Sequence, residues 1–147
     1  MSEQVVLLVE DSSSDEELTL RALRKSGIAN RVVVARDGAE ALDYLFARGQ
    51  YAGLDPRDSP QVVFLDLNLP KVGGLEVLRQ IRADERTRLL PVVILTSSRE
   101  DRDVLSGYAS GANSYVVKPV DFSQFAEAIR QLGMYWLIIN QPAPSGA

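Results

Sequence analysis

The chain has 147 residues, a net charge of −4, 46% hydrophobic and 24% charged residues, which fits one globular domain of ordinary size, leaves no room for a second, and gives no basic surface for nucleic acid. It contains neither cysteine nor histidine, which excludes disulfides, thiolate and imidazole metal sites, cysteine nucleophiles and histidine-based hydrolase triads. The N-terminus MSEQVVLLVEDSSSDEE lacks the basic start and long apolar stretch of a signal peptide, and no apolar run is long enough to span a bilayer, so a cytoplasmic protein without membrane contact is expected.

The first apolar run, Gln4 to Val9, reads as a strand and is followed at once by Glu10 and Asp11. Ser14 to Ser26 places Leu18, Ala22 and Leu23 on one helical face, with acids in its first turn and Gly27 as a stop. A second strand, Arg31 to Ala35, leads to a helix from Gly38 to Arg48 that carries Ala41, Leu42 and Leu45 at helical spacing. Gly49 to Pro60 is a long loop rich in turn-forming Gly, Pro and Asp. The third strand, Gln61 to Leu65, ends on Asp66, and a helix with Leu75, Leu78 and Ile81 follows from Gly74 to Ala83. Pro91 to Leu95 is the fourth strand, closed by Thr96, Ser97 and Ser98. The helix Arg99 to Ala109 then turns Val104, Leu105 and Tyr108 inward and stops at Gly111. Ser114 to Val117 is the fifth strand and ends on Lys118. A last helix runs from its N-cap Asp121 to Ile139, with Phe122, Phe125, Ile129 and Leu132 on one face. Gln141 to Ala147 reads as a frayed tail, so the expected division is a domain over 1–140 and a tail over 141–147.

The strands are nearly continuous apolar runs, as in parallel sheets covered on both faces. Strand and helix alternate five times along the chain, which predicts an α/β fold, a doubly wound five-stranded parallel sheet. Such sheets bind ligands at the carboxyl ends of their strands, where Glu10, Asp11, Asp66, Thr96 and Lys118 all fall. Glu10 and Asp11 are either acids favoured by the dipole of the next helix or oxygen ligands for a hard cation such as Mg²⁺. Asp66 follows so apolar a strand that its ionised form needs a charge partner, a metal or an open strand end. Clustered acids repel unless a cation compensates. Lys118 is one candidate, and a divalent ion would supply the rest. Taken alone, Thr96 is most simply a capping or solvated hydroxyl and Lys118 a solvated lysine. Together the set suits phosphoryl transfer to a carboxylate, with Asp66 as nucleophile, Mg²⁺ offsetting charge, and Lys118 and Thr96 contacting phosphoryl oxygens.

Four motifs occur in order: LLVED (Leu7 to Asp11), FLDLNLP (Phe64 to Pro70) with Gly73 and Gly74, PVVILTSS (Pro91 to Ser98) and GANSYVVKP (Gly111 to Pro119). On these the chain closely resembles the receiver domains of two-component response regulators. The resemblance implies a flavodoxin- or CheY-like fold of strand order 2-1-3-4-5. It implies a 4-aspartylphosphate at Asp66, and Mg²⁺ held by Asp11, Asp66 and the Asn68 carbonyl, with Glu10 acting through water. It makes Lys118 a phosphoryl partner, Thr96 and Tyr115 the switch pair, Ser97 a small residue leaving room for the phosphoryl group, and Lys118–Pro119 a cis bond. Glu85 departs from a proline often found there, without functional weight. The implied partner is a sensor histidine kinase. The long loop before strand three, the TSS and ANSY motifs and the ending MYWLIINQPAP are similar to single-domain regulators of phytochrome-type kinases. Such a protein is not a conventional enzyme but a phosphoacceptor that assists its own phosphorylation and dephosphorylation, and it signals through protein contacts. The apolar run Met134 to Ile139 is too continuous for one buried stripe: its end either folds back onto the core or, the favoured reading, forms a homodimer surface through helix four, strand five, helix five and the C-terminal segment. Phosphatases of the haloacid dehalogenase type need an aspartate where Asn68 stands. A flavin phosphate would be repelled by VEDSSSDEE. Receiver folds that signal without phosphate usually lose an acid, the threonine or the lysine, and all are present here.

Overall fold

The computed structural model describes residues 4–25, 31–55 and 59–144. In chain order the elements are β1 (Val5–Val9), α1 (Ser13–Lys25), β2 (Arg31–Ala35), α2 (Gly38–Leu45), β3 (Val62–Leu65), α3 (Gly74–Ala83), β4 (Val92–Thr96), α4 (Asp101–Ala109), β5 (Ser114–Val117) and α5 (Phe122–Met134). The strands form one parallel sheet of order β2-β1-β3-β4-β5. This is the expected doubly wound, flavodoxin-like topology. The inner strands β1, β3 and β4 are buried along their whole length, which explains their unbroken Val, Ile and Leu runs. Leu7, Val9, Val63, Leu65 and Ile94 pack on Ala41 and Leu42 of α2 and Val77, Leu78 and Ile81 of α3. The opposite face splits between Leu95 with Leu23, Phe125 and Ile129, and Val6, Leu8, Val62, Phe64 and Val93 with Leu137. No helix among the described residues is long and apolar enough to cross a membrane.

Strand limits fall within one residue of those read from the sequence, and the helices differ more. The expected stop of α1 at Ser26 and Gly27 lies outside the described residues, as do residues 56–58 of the long loop. Helix α2 ends at Leu45 because Ala47 takes a left-handed φ of 52°, and a 3-10 turn follows over Gly49–Tyr51. The turn sets Tyr51 edge-on to Tyr44 at 5.1 Å. Helix α4 begins two residues late, at Asp101, and leaves Leu105 69% and Tyr108 51% exposed. It rests instead on Gly107, where a Cβ would lie 2.8 Å from Ile94 Cδ1 and 3.1 Å from Tyr115 Cδ2. Asp121 caps α5 as expected, accepting from the Ser123 and Gln124 amides. Phe122 points outward at 75% exposure, and Phe125 and Ile129 supply the buried contact.

Past Met134 the helix widens to a π-helical turn over Tyr135–Ile139. The Gln4 side-chain amide donates to the Leu137 carbonyl at 2.9 Å and that of Gln61 to the Trp136 carbonyl at 3.3 Å. These bonds satisfy end carbonyls that have no partner within the helix and tie it to the starts of β1 and β3. Leu137 is buried, whereas Tyr135, Ile138 and Ile139 are exposed.

Candidate functional site

The site is built where the strands end. The Glu10 amide still pairs with the Ala35 carbonyl at 3.0 Å, and the Asp66 amide with the Val9 carbonyl at 3.1 Å. The ladder thus brings Glu10 and Asp66 side by side at the ends of β1 and β3. Ser12 turns the chain back, its amide donating to Glu10 Oε1 at 3.1 Å and its Oγ accepting from the Asp15 amide at 3.3 Å. One side-chain oxygen from each of Glu10, Asp11 and Asp66 lies within 4.8 Å of the others. Glu10 and Asp66 are buried and Asp11 is exposed. The Asn68 amide donates to Asp66 Oδ1 at 3.2 Å, which curls the β3–α3 loop over the cluster and leaves the Asn68 side chain in solvent.

Lys118 crosses from the end of β5 into this acid cluster. Its amide pairs with the Thr96 carbonyl at 2.8 Å. Its buried Nζ donates to Glu10 Oε2 at 2.5 Å, Asp15 Oδ2 at 2.8 Å and Asp66 Oδ2 at 3.1 Å. An ammonium has three donors, and each meets a different carboxylate. Burial works against the lysine's charge, but its bonds to Asp15 and Glu10 and the charge on Asp66 outweigh that and raise its pKa. Burial pushes Glu10 from 4.5 up to about 7, against the pull of Lys118.

Thr96 is fully buried at the end of β4. Its Oγ1 and Ser114 Oγ are the buried side-chain oxygens, among the described residues, with no hydrogen-bond partner. Ser114 opens β5, at the far end of the sheet from the site. A buried hydroxyl without a partner is costly, and that of Thr96 lies at the end of β4, next to the strand that ends on Asp66. Tyr115 is half-buried, and its hydroxyl donates to the Ser98 carbonyl at 2.9 Å. Burial is the main cause of its raised pKa. Ser98 Oγ in turn bonds Asp103 Oδ2 at 2.5 Å, which joins the β4–α4 loop to α4. Ser97 is exposed.

The predicted Glu10, Asp11, Asp66, Thr96 and Lys118 therefore converge. Asn68 borders them through its backbone, and Tyr115 is joined to them through the β4–α4 loop. One expectation is corrected: no cis peptide bond occurs among the described residues, so Lys118–Pro119 is trans. Trans is the intrinsically favoured isomer even before proline, and with it Lys118 Nζ already reaches Asp66. Sequence reasoning also missed Asp15, counting it only as an acid in the first turn of α1. No local pattern signalled it: Asp15 sits in the first turn of α1, and its partner Lys118 is 103 positions away.

An all-oxygen donor set of carboxylates and a carbonyl is the chemistry that holds hard divalent cations. Three carboxylates share a single ammonium here and Asp11 adds a fourth to the oxygen cluster, an excess of negative charge that such a cation would offset. The residues present thus fit magnesium.

Residues 6–130 match the family model of the response regulator receiver domain. The chain belongs to that family. This receiver is 42% identical to a probable methanogenesis regulatory protein, FilR2, of Methanothrix harundinacea, over 96% of the chain and 89% of the relative. Among solved structures it is similar to the bacteriophytochrome response regulator AtBRR, with 52% identity, 96% and 100% coverage and a TM-score of 0.74. The phosphorylated cyanobacterial phytochrome response regulator RcpA superposes with a TM-score of 0.90, at 34% identity and 97% and 99% coverage. The Mn²⁺-bound form of response regulator Rcp1 gives a TM-score of 0.89, at 33% identity and 96% and 99% coverage. The receiver is thus a protein of two-component signalling, a response regulator rather than a conventional enzyme.

Proposed function

We propose that Asp66 is the phosphoacceptor of this receiver and takes a phosphoryl group from a partner histidine kinase in a magnesium-dependent reaction. The observation that carries this reading is the pairing of a buried carboxylate, held 3.1 Å from Lys118 Nζ, with the partnerless hydroxyl of Thr96 at the next strand end. Asp66 Oδ attacks phosphorus as the bond to the donor breaks. Lys118 turns a donor to the transferred group, and Thr96 donates to another of its oxygens. Asp11, Asp66 and the Asn68 carbonyl are the residues that would hold the metal, with the Glu10 carboxylate in the same oxygen cluster. Magnesium, when bound, offsets the charge that builds on the phosphoryl oxygens. The chain has no histidine, so the phosphohistidine that donates the group belongs to another protein. The likeness to AtBRR and RcpA, named for bacteriophytochrome and phytochrome signalling, supports a phytochrome-type kinase as that donor, acting in the cytoplasm. The same residues assist both the gain of the phosphoryl group and its later hydrolysis.

Readout runs from Thr96 to Tyr115, which the Ser98 carbonyl ties to the β4–α4 loop, and on to the face of α4, β5 and α5. That face and the π-helical end carry the exposed apolar residues of a homodimer. The receiver is assigned to residues 1–140 and the segment 141–147 is set outside it, residues 145–147 lying outside the described residues.

The test is intact mass after incubation with Mg²⁺ and acetyl phosphate. Wild type gains one phosphate and Asp66→Asn gains none. A wild-type protein that gains no mass with magnesium at any donor concentration overturns the proposal. Faster transfer from a phosphorylated phytochrome-type kinase than from an unrelated histidine kinase is expected, and equal rates would remove the kinase assignment alone.

A further inference from the structure

We infer that Asp15 is a positioning residue for the phosphotransfer reaction, an anchor that holds the Lys118 ammonium at Asp66. The inference rests on the role proposed for Asp66 and extends it to a residue on α1.

Lys118 Nζ is shared by Glu10, Asp15 and Asp66 at 2.5, 2.8 and 3.1 Å. The three acceptors are not equivalent. Glu10 and Asp66 belong to the oxygen cluster suited to a metal, together with Asp11. Asp15 does not. A bound divalent ion would draw the carboxylates of its own cluster, and Asp66 would give an oxygen to phosphorus during transfer. Asp15 is the acceptor that neither event removes. A lysine has a long, rotatable stem and its ammonium is a compact charge with no geometry of its own, so a fixed acceptor off the reaction axis is what keeps Nζ in place.

Asp15 is itself fixed. Its amide donates to Ser12 Oγ at 3.3 Å, and its carbonyl accepts from Thr19 Oγ1 at 2.8 Å. Thr19 is buried in α1, so the first turn carrying Asp15 is tied to the packed part of the helix. The carboxylate then reaches a residue 103 positions away. A role in the helix dipole alone accounts for an acid in this turn but not for a hydrogen bond to Lys118. Positioning a reacting or charge-stabilising group accelerates a step only if the geometry holds during the step. Asp15 supplies that hold from outside the metal cluster.

The step itself is unchanged. The Asp66 Oδ–P bond forms as the P–O bond to the donor breaks, and with acetyl phosphate the leaving group is acetate. The expected effect of Asp15→Ala is slower phosphorylation by acetyl phosphate at saturating Mg²⁺, on the order of fivefold, the scale of coupling between contacting charged side chains. Asp15→Glu, which keeps the charge, recovers part of the rate. Three readouts separate positioning from a structural role. Calorimetric titration gives a Mg²⁺ dissociation constant within about twofold of wild type, since Asp15 lies outside the metal cluster. In a Lys118→Met background, adding Asp15→Ala produces no further slowing. Thermal unfolding ranks the variants separately from their rates.

Wild-type speed in Asp15→Ala overturns the inference. So does equal slowing with and without Lys118, or a loss of Mg²⁺ affinity large enough to explain the rate. If the wild-type protein takes up no phosphate, both the inference and the role of Asp66 fall. If wild type is phosphorylated and Asp15→Ala matches it, only the inference falls.

Discussion

Glu10 lies almost wholly out of water beside Asp66, and burial moves its pKa from 4.5 to about 7. The folded protein therefore keeps a proton that an unfolded glutamate releases. The sign follows by linkage: this contribution to stability is complete below about 4.5 and is lost as pH rises through about 7. The slope cannot exceed about 1.4 kcal/mol per pH unit for one group. Urea unfolding of wild type and Glu10→Gln, without metal, should show the difference in stability shrinking across that window. Saturating Mg²⁺ needs the ionised carboxylate and should abolish the trend. A flat difference in metal-free protein would show that burial does not govern Glu10.

The β3–α3 loop reaches its place by leaning on α2. Asp37 caps α2 by accepting from the Glu40 amide at 2.7 Å, and it also pairs with Lys71 at 3.5 Å. The Gly38 amide meets the Pro70 carbonyl at 3.4 Å. A Cβ on Gly38 would fall 1.9 Å from the Val72 carbonyl oxygen, so any side chain there pushes backbone away. Gly38→Ala should cost about 1–3 kcal/mol in urea unfolding, as overpacking does. It should also weaken Mg²⁺ binding in calorimetry, because the displaced loop carries Asn68. Unchanged affinity with lowered stability would confine the effect to packing. Such contacts mark where sequence reading stops. The strands were legible because burial on both faces makes each one an apolar run, and the strand-end acids, threonine and lysine stood out because their chemistry clashes with those runs. Helix α4 was misread because periodicity turned Leu105 and Tyr108 inward, while the helix settles on Gly107, which has no side chain to signal contact. Asp15 was missed because its partner lies on β5, and no local pattern links the first turn of α1 to the last strand.

At the scale of the molecule, Tyr135, Ile138 and Ile139 remain exposed although Leu137 between them is buried. The two glutamine bonds fix this segment to the sheet, so its apolar side chains are presented as a set rather than on a loose end. Size-exclusion chromatography with light scattering should report a dimer, and Ile138→Asp should give a monomer with an unchanged circular dichroism spectrum. A wild-type protein that is monomeric with and without phosphate would rule out this dimer. The unpaired hydroxyl of Thr96 has a consequence on the same scale. Leaving such a group unsatisfied costs about 1–3 kcal/mol, so satisfying it in one conformation biases a two-state balance by roughly 5- to 150-fold. Driving a molecule from one part in a hundred active to ninety-nine takes about 5.5 kcal/mol. In the proposed mechanism Thr96 by itself would therefore be a dimmer, and a full on–off response would need the charge delivered to Asp66 and met by Lys118 as well.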